Sequence, residues 1–164
     1  MKQISLLLLI LLGFISCKKN ADETCPNGYT GSNCDQQITP TNIILKSIKV
    51  TSFPPTDNGA GWDLTSGPDV YITISQNGNV LYTNSNAFIM NATAGVSFNT
   101  QYVLPSVTGI YTINVYDHDD FDADDFMGGI IAPIYTNTTG FPETLTLSCP
   151  GCAISFLIEI GYTF

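Results

Sequence analysis

The stretch Val115–Gly129, VYDHDDFDADDFMGG, carries six aspartates in nine positions, and no lysine or arginine lies between them. They are Asp117, Asp119, Asp120, Asp122, Asp124 and Asp125. Apolar and polar residues alternate before the first aspartate, and FMGG after the last resumes an apolar pattern, so both flanks predict strands. The aspartates therefore occupy a loop between two strands, where like charges repel unless a cation neutralises them.

Calcium is the cation that this loop favours, because it takes about 6–8 oxygen ligands from carboxylates, carbonyls and water. The one histidine, His118, leaves little for zinc or copper. An EF-hand is rejected: a loop starting at Asp120 has Asp125 where glycine is needed and Ile131 where glutamate is needed. A solvated acidic loop without a specific ion remains the alternative.

Composition excludes several functional classes. Residues 42–164 hold two lysines against eleven acidic residues, a net charge of −9, and the whole chain has no arginine. Binding of nucleic acid is excluded, since phosphate contacts need a basic surface, and so is polybasic attraction to anionic lipid. With one histidine and no Ser-His-Asp arrangement, we do not expect an enzyme.

Short period-two segments fill the rest of residues 43–164. Residues 69–84 form two strands around an Asn77-Gly78 turn, and Ile154, Phe156, Ile158 and Ile160 share one face of the last strand. No amphipathic helix is evident. The pattern predicts an all-β fold, an eight-stranded antiparallel sandwich of two sheets.

The N-terminus predicts export. Lys2 precedes a short apolar run, and FISC, ending at Cys17, resembles the lipobox of bacterial lipoproteins. The resemblance implies a signal peptide over 1–16, acylation of Cys17, a polar tether over 17–24 and anchoring to the bacterial envelope, at the outer membrane or cell surface. A plain secretory signal with an unmodified cysteine is the alternative.

Four further cysteines in an exported chain favour disulfides. Residues 25–34, CPNGYTGSNC, resemble the last loop of an EGF-like module, which implies a Cys25–Cys34 bond in a spacer, with a recognition role as the minority view; residues 35–42 follow as a linker. Pro150-Gly151 favours a type II turn that brings Cys149 and Cys152 within bonding reach. Unpaired thiols and a redox or metal-binding Cys-x-x-Cys are the alternatives.

Two aspartate motifs resemble those of the C2 domain, the calcium-dependent lipid-binding β-sandwich. Asp63 and Asp69 match the pair in its first loop, and Asp117, Asp119 and Asp125 match the triplet in its third. The resemblance covers residues 43–164 and implies that these five aspartates meet at one end of the sandwich as an acidic cup that binds calcium. Asp57 competes as a further ligand. One strand before the first aspartate loop indicates the permuted, type II strand order.

The resemblance further implies docking of the calcium-loaded cup onto a phospholipid membrane or a cell-surface ligand. Phe121 lies at the tip of the third loop and Leu64 or Trp62 in the first, where apolar residues would make contact. Phe121 could instead fold back over its own loop. An adhesion or scaffold domain in which calcium is purely structural is the alternative function.

Overall fold

The computed structural model describes residues 24–164. The expected signal peptide, Cys17 and all of the tether but Thr24 lie outside this range. The strands are β1 (Tyr29–Thr30), β2 (Gln36–Gln37), β3 (Asn42–Ser52), β4 (Val70–Gln76), β5 (Asn79–Thr83), β6 (Val96–Val103), β7 (Ile110–Asp117), β8 (Asp125–Pro133), β9 (Thr144–Ser148) and β10 (Ser155–Thr163). A single 3₁₀ turn, Ser85–Ala87, is the helical element of this part of the chain.

Strands β3 to β10 form two four-stranded antiparallel sheets, in the orders β6-β3-β10-β9 and β5-β4-β7-β8. The predicted eight-stranded antiparallel sandwich is therefore confirmed. Of these eight strands, β3 alone precedes the first aspartate loop, and the last strand, β10, pairs with it. This arrangement agrees with the strand order expected from the sequence.

The core lies between the sheets and is filled by alternate residues of each strand. Phe156, Ile158 and Ile160 of β10 are buried, as the period-two pattern predicted. Ile72 of β4 and Ile113 of β7 face them from the other sheet and are fully buried. Each such side chain contributes about 1.5–3 kcal/mol by leaving water, which holds the two sheets face to face.

The sandwich has two distinct ends. At one end, β3 finishes, β4 begins, β7 finishes and β8 begins, and we name it the cup end. At the opposite end, the base, lie the start of β3, the end of β10 and the β4–β5 turn. That turn is formed by Asn77 and Gly78, both with positive φ (52° and 80°), as a two-residue hairpin turn requires.

Both predicted disulfides are present. Cys149 and Cys152 flank a turn in which the Cys152 N–H donates to the Cys149 carbonyl over 3.1 Å, and Gly151 supplies the positive φ of 81°. Cys25 and Cys34 close the small N-terminal loop, with their Cα atoms 5.3 Å apart. The cross-turn geometry explains why two cysteines separated by two residues are bonded rather than available for redox or metal chemistry.

The segment around Cys25–Cys34 packs against the base of the sandwich. β1 pairs with β2, so that Gln36–Gln37, predicted as linker, belong to the same unit. We call residues 25–37 the N-terminal unit. Tyr29 packs edge-on against Phe141 with ring centroids 5.4 Å apart, and Gln37 Nε2 donates to the Tyr135 hydroxyl over 2.7 Å. A segment expected to be a spacer is thus fixed to the domain.

Between Thr24 and Phe164, no helix has the length and apolar character needed to cross a membrane.

Candidate functional site: an acidic cup at one end of the sandwich

Three loops meet at the cup end: loop A (residues 53–69), loop B (84–95) and loop C (118–124). Loop A runs into β4 and loop C leaves β7, and these neighbouring strands pair with Val70 opposite Asp117. This strand register places Asp117, at the end of β7, beside Asp69, the last residue of loop A. This register brings together segments about fifty residues apart in the sequence.

Asp117, the last residue of β7, is the buried member of the aspartate group, and we call it the floor carboxylate of the acidic cup. Its side chain is fully buried, and Oδ1 accepts a hydrogen bond from the backbone N–H of Asp69. Oδ2 has no hydrogen-bond partner among the described residues. An unpartnered carboxylate oxygen in a buried position is costly, and a bound cation would remove that cost.

Burial raises the pKa of Asp117 from 3.8 to about 6, because the charged form loses its hydration. The hydrogen bond from Asp69 opposes this increase, while the neighbouring charges of Asp63 and Asp119 add to it. Burial is thus the main cause of the raised pKa of Asp117, and the nearby carboxylates of loops A and C add to it.

The other four predicted ligands line a cleft of about 450 Å³, whereas Asp117 is not among its lining residues. These are Asp63, Asp69, Asp119 and Asp125, and Asp120 and Asp122 of loop C line the cleft as well. Members of both aspartate motifs therefore line the same cleft. Within residues 24–164, no three acidic, histidine or cysteine side chains already have the arrangement of a metal-binding group, so closure around an ion would need adjustment of loop side chains.

Loops A and B orient two of the rim carboxylates. The Ser66 hydroxyl donates to Asp63 Oδ2 over 2.9 Å. The backbone N–H of Asn91 in loop B donates to Asp69 Oδ1 over 2.9 Å, and Asn91 Oδ1 accepts from the N–H of Gly67 over 3.1 Å. The sequence did not predict that loop B belongs to the site. Asn91 has a positive φ of 51°, and a backbone conformation of this kind cannot be read from the sequence.

Asp124 is held by protein groups rather than directed at the cleft. The Tyr71 hydroxyl donates to Asp124 Oδ2 over 2.7 Å, and Oδ1 lies 3.0 Å from His118 Nδ1. Burial acts to raise the pKa of Asp124, but these hydrogen bonds outweigh it and the pKa is lowered. Asp124 therefore stabilises loop C through these contacts, which explains why one of the six aspartates is present.

Asp57, the competing ligand, lies in a tight turn of loop A that bridges Asp57 and Ala60. Its Oδ1 accepts from the side-chain amide of Asn58 over 2.9 Å. It is not among the residues that line the cleft.

Two large apolar side chains project at the mouth of the cleft. Leu64 of loop A and Phe121 of loop C both line it and are fully exposed, so Phe121 does not fold back over its loop. Trp62 differs, since it packs partly against the core and its indole N–H donates to the Pro54 carbonyl over 2.9 Å. Of the three predicted contact residues, Leu64 and Phe121 are therefore available to a partner, while Trp62 supports loop A.

Comparison with solved structures agrees with this architecture. The chain superposes on a C2 domain of a plant extended synaptotagmin 1 with a TM-score of 0.52 and 16% identity, covering 76% of this chain and 95% of that one. The fold is that of a C2 domain. A human GIVD cytosolic phospholipase A2 matches with a TM-score of 0.52 and 15% identity.

The likeness extends to the fold alone at these identities. The matched region covers 74% of this chain but only 16% of the phospholipase chain. No family model matches the sequence, and no curated protein matches it either. These comparisons therefore show the fold, and any function of this C2-like domain depends on its own residues.

Proposed function

We propose that this chain is a calcium-binding C2-like module, carried on the bacterial envelope by a lipid at Cys17, that binds phospholipid or a surface ligand when calcium occupies the acidic cup. The floor carboxylate Asp117 and the rim carboxylates Asp63, Asp69, Asp119 and Asp125 would supply oxygen ligands to the ion.

The observation that carries the proposal is the state of Asp117. Its Oδ2 is buried without a partner in the described part of the chain, and the carboxylates of Asp63, Asp69 and Asp119 lie close enough to repel it. A solvated acidic loop would instead leave its carboxylates hydrated. A cation below the rim would pair with this oxygen and relieve the mutual repulsion of the five side chains.

Contact with phospholipid is supported by the mouth of the cup. Leu64 and Phe121 are fully exposed on either side of it, a position from which both could enter a lipid interface. Residues 42–164 hold only two lysines against eleven acidic residues, so this part of the chain offers little positive charge to anionic headgroups. Calcium bridging between the rim carboxylates and lipid phosphates would supply that attraction.

Calcium titration by calorimetry tests the ion site. The parent should bind calcium, and Asp117→Asn and Asp119→Asn should each weaken binding at least tenfold, since each removes a charged ligand. Asp57→Asn is the matched control and should bind as the parent does. Parent-like calcium binding by either Asp117→Asn or Asp119→Asn would refute the assignment.

Sedimentation with phosphatidylserine vesicles tests the lipid function. Binding should appear with calcium and disappear with a chelator. If calcium raises the melting temperature but causes no vesicle or surface-ligand binding, the ion is purely structural and the chain is better described as an adhesion or scaffold domain.

A further inference from the structure

Loop C is fixed at both of its ends to the same part of the neighbouring strand. At its start, the His118 N–H donates to the Asp69 carbonyl over 2.8 Å, which continues the pairing of β4 with β7. At its last residue, the Tyr71 hydroxyl donates to Asp124 Oδ2 over 2.7 Å. Asp69 directly precedes β4 and Tyr71 belongs to it, so the start of one strand holds both the entry and the exit of the loop.

The other oxygen of Asp124 reaches across the loop. Oδ1 accepts a hydrogen bond from the backbone N–H of Asp119 over 3.1 Å and lies 3.0 Å from His118 Nδ1. Asp119 lines the cleft of the acidic cup, whereas neither Tyr71 nor Asp124 does. A chain of contacts therefore runs from Tyr71, through Asp124, to the backbone of a residue in the cleft.

Asp119 is the member of its motif that no strand supports. Asp117 ends β7 and Asp125 begins β8, and the two pair with each other across these strands. Asp119 lies inside loop C. Burial raises the pKa of Asp119, and the charges of Asp122 and Asp125 add to this increase. Its carboxylate is thus repelled by neighbouring charges, and the hydrogen bond from its N–H to Asp124 opposes displacement of this part of the loop.

The hydrogen bond between Tyr71 and Asp124 is well placed to carry this role. Tyr71 lies on an inner strand, is only 7% exposed, and stacks on the Tyr116 ring with centroids 5.3 Å apart. Burial raises the pKa of Tyr71, and its hydrogen bond to Asp124 adds to this increase. Burial acts to raise the pKa of Asp124 too, but the hydrogen bonds that it accepts lower it. A protonated hydroxyl therefore donates to a charged carboxylate, which is the stronger class of hydrogen bond.

We infer that Tyr71 is a positioning residue for calcium in the acidic cup: through Asp124 it holds the backbone of Asp119, and so keeps the Asp119 carboxylate in the cleft. The inference rests on the proposed function. Groups that support metal ligands from behind typically contribute about 10–100-fold to metal affinity. Because Tyr71 acts through a further residue, we expect an effect at the lower end of this range.

Removal of one hydroxyl tests the inference. Tyr71→Phe keeps the stacked ring, and calorimetric titration should show calcium binding about tenfold weaker than in the parent. Tyr116→Phe is the matched control and should bind as the parent does, since its hydroxyl takes no part in the hydrogen bonds of Asp124. Asp124→Ala breaks the same link from the loop side and should also weaken binding, which keeps the inference testable if Tyr71→Phe does not fold.

Two readouts distinguish positioning from a general structural role. In the Asp124→Ala background, Tyr71→Phe should change calcium affinity by less than about twofold, because the group through which Tyr71 acts is absent. In EDTA, the Asp119 amide proton should exchange with solvent faster in Tyr71→Phe than in Tyr116→Phe. An equal loss of affinity in the parent and Asp124→Ala backgrounds would overturn the inference.

Asp117→Asn, titrated alongside, separates the two possible failures. If the parent binds calcium and Asp117→Asn weakens it, but Tyr71→Phe binds as the parent does, the proposed function stands and Tyr71 is not a positioning residue. If the parent does not bind calcium, the proposed function is wrong and the inference falls with it.

Discussion

The backbone N–H of Asp69 donates to the buried carboxylate of Asp117, which joins the end of loop A to the floor of the acidic cup. One oxygen of Asp117 is thereby oriented by the protein, and the other is left without a partner in residues 24–164. Paired central strands therefore position Asp117, whereas the loop carboxylates would have to adjust around an ion.

Replacing the floor charge should abolish the stabilisation by calcium. Asp117→Asn keeps an oxygen acceptor for the Asp69 N–H and removes one buried charge, so the variant should melt no lower than the parent in EDTA. The parent should gain several degrees on addition of calcium, whereas the variant should gain little. Differential scanning calorimetry in EDTA and in millimolar calcium checks this; an equal gain in both proteins would contradict it.

Stability without calcium should depend on pH through Asp117. Its pKa is about 6 in the folded protein against an ordinary 3.8, so the folded state binds this proton more tightly than the unfolded chain does. Protonated Asp117 therefore contributes its full share to the free energy of unfolding below about pH 4. This share, about 2–3 kcal/mol, is lost as the pH rises through 6. Urea unfolding in EDTA between pH 4 and 7.5 measures it, and Asp117→Asn should flatten the profile.

Calcium binding should have the opposite pH dependence. The ion needs the ionised carboxylate, so protonation of Asp117 below about pH 6 competes with it and the apparent affinity falls. Calorimetric titrations at pH 5 and pH 7.5 should differ by roughly tenfold, as one proton binding a unit below its pKa predicts. Equal affinities at the two pH values would show that Asp117 is not a ligand.

Polar substitution at the mouth of the cup should separate lipid binding from ion binding. Phe121→Ser and Leu64→Ser alter fully exposed side chains, so the melting temperature and the calcium affinity should be those of the parent. Each loses about 1.5–3 kcal/mol of burial in a lipid interface, or roughly 10–100-fold in vesicle affinity. Val80→Ser, at an exposed apolar position on β5 near the base, is the control and should change neither property.

The docked N-terminal unit should depend on Phe141. Phe141→Ala removes the ring that contacts Tyr29, Tyr135 and Phe164, and should cost about 2–4 kcal/mol. Released from its site, the unit should expose residues 38–41 to protease. Limited proteolysis followed by mass spectrometry checks this, and resistance equal to that of the parent would show that other contacts hold the unit.

The sandwich could be predicted because its strands and turns follow from local patterns. Period-two alternation identified the strands, the Asn77-Gly78 pair identified the hairpin, and Pro150-Gly151 identified the disulfide-bearing turn. The placement of Asp63, Asp69, Asp119 and Asp125 around one cleft was implied by the C2 resemblance of their two motifs, and the pairing of β4 with β7 accounts for it.

The remaining features depend on contacts between distant segments, which carry no local signal. The hydrogen bonds of Asp124 with Tyr71 and His118 arise because β4 and loop C pack together, and they take one aspartate away from the cleft. The N-terminal unit looked like a spacer because it has almost no core of its own. Its stability comes from Phe141, more than a hundred residues later.

Pairing of β4 with β7 places Asp117 on a rigid framework, whereas most of the residues around it belong to loops. If the domain works as proposed, exchange of loops A and C for other sequences would change the surface that it binds while Asp117 stayed in place. The strands hold Asp117 in place, and the loops present the side chains that would contact a partner. A library randomised at Leu64, Thr65 and Phe121 would therefore be the natural way to change binding selectivity.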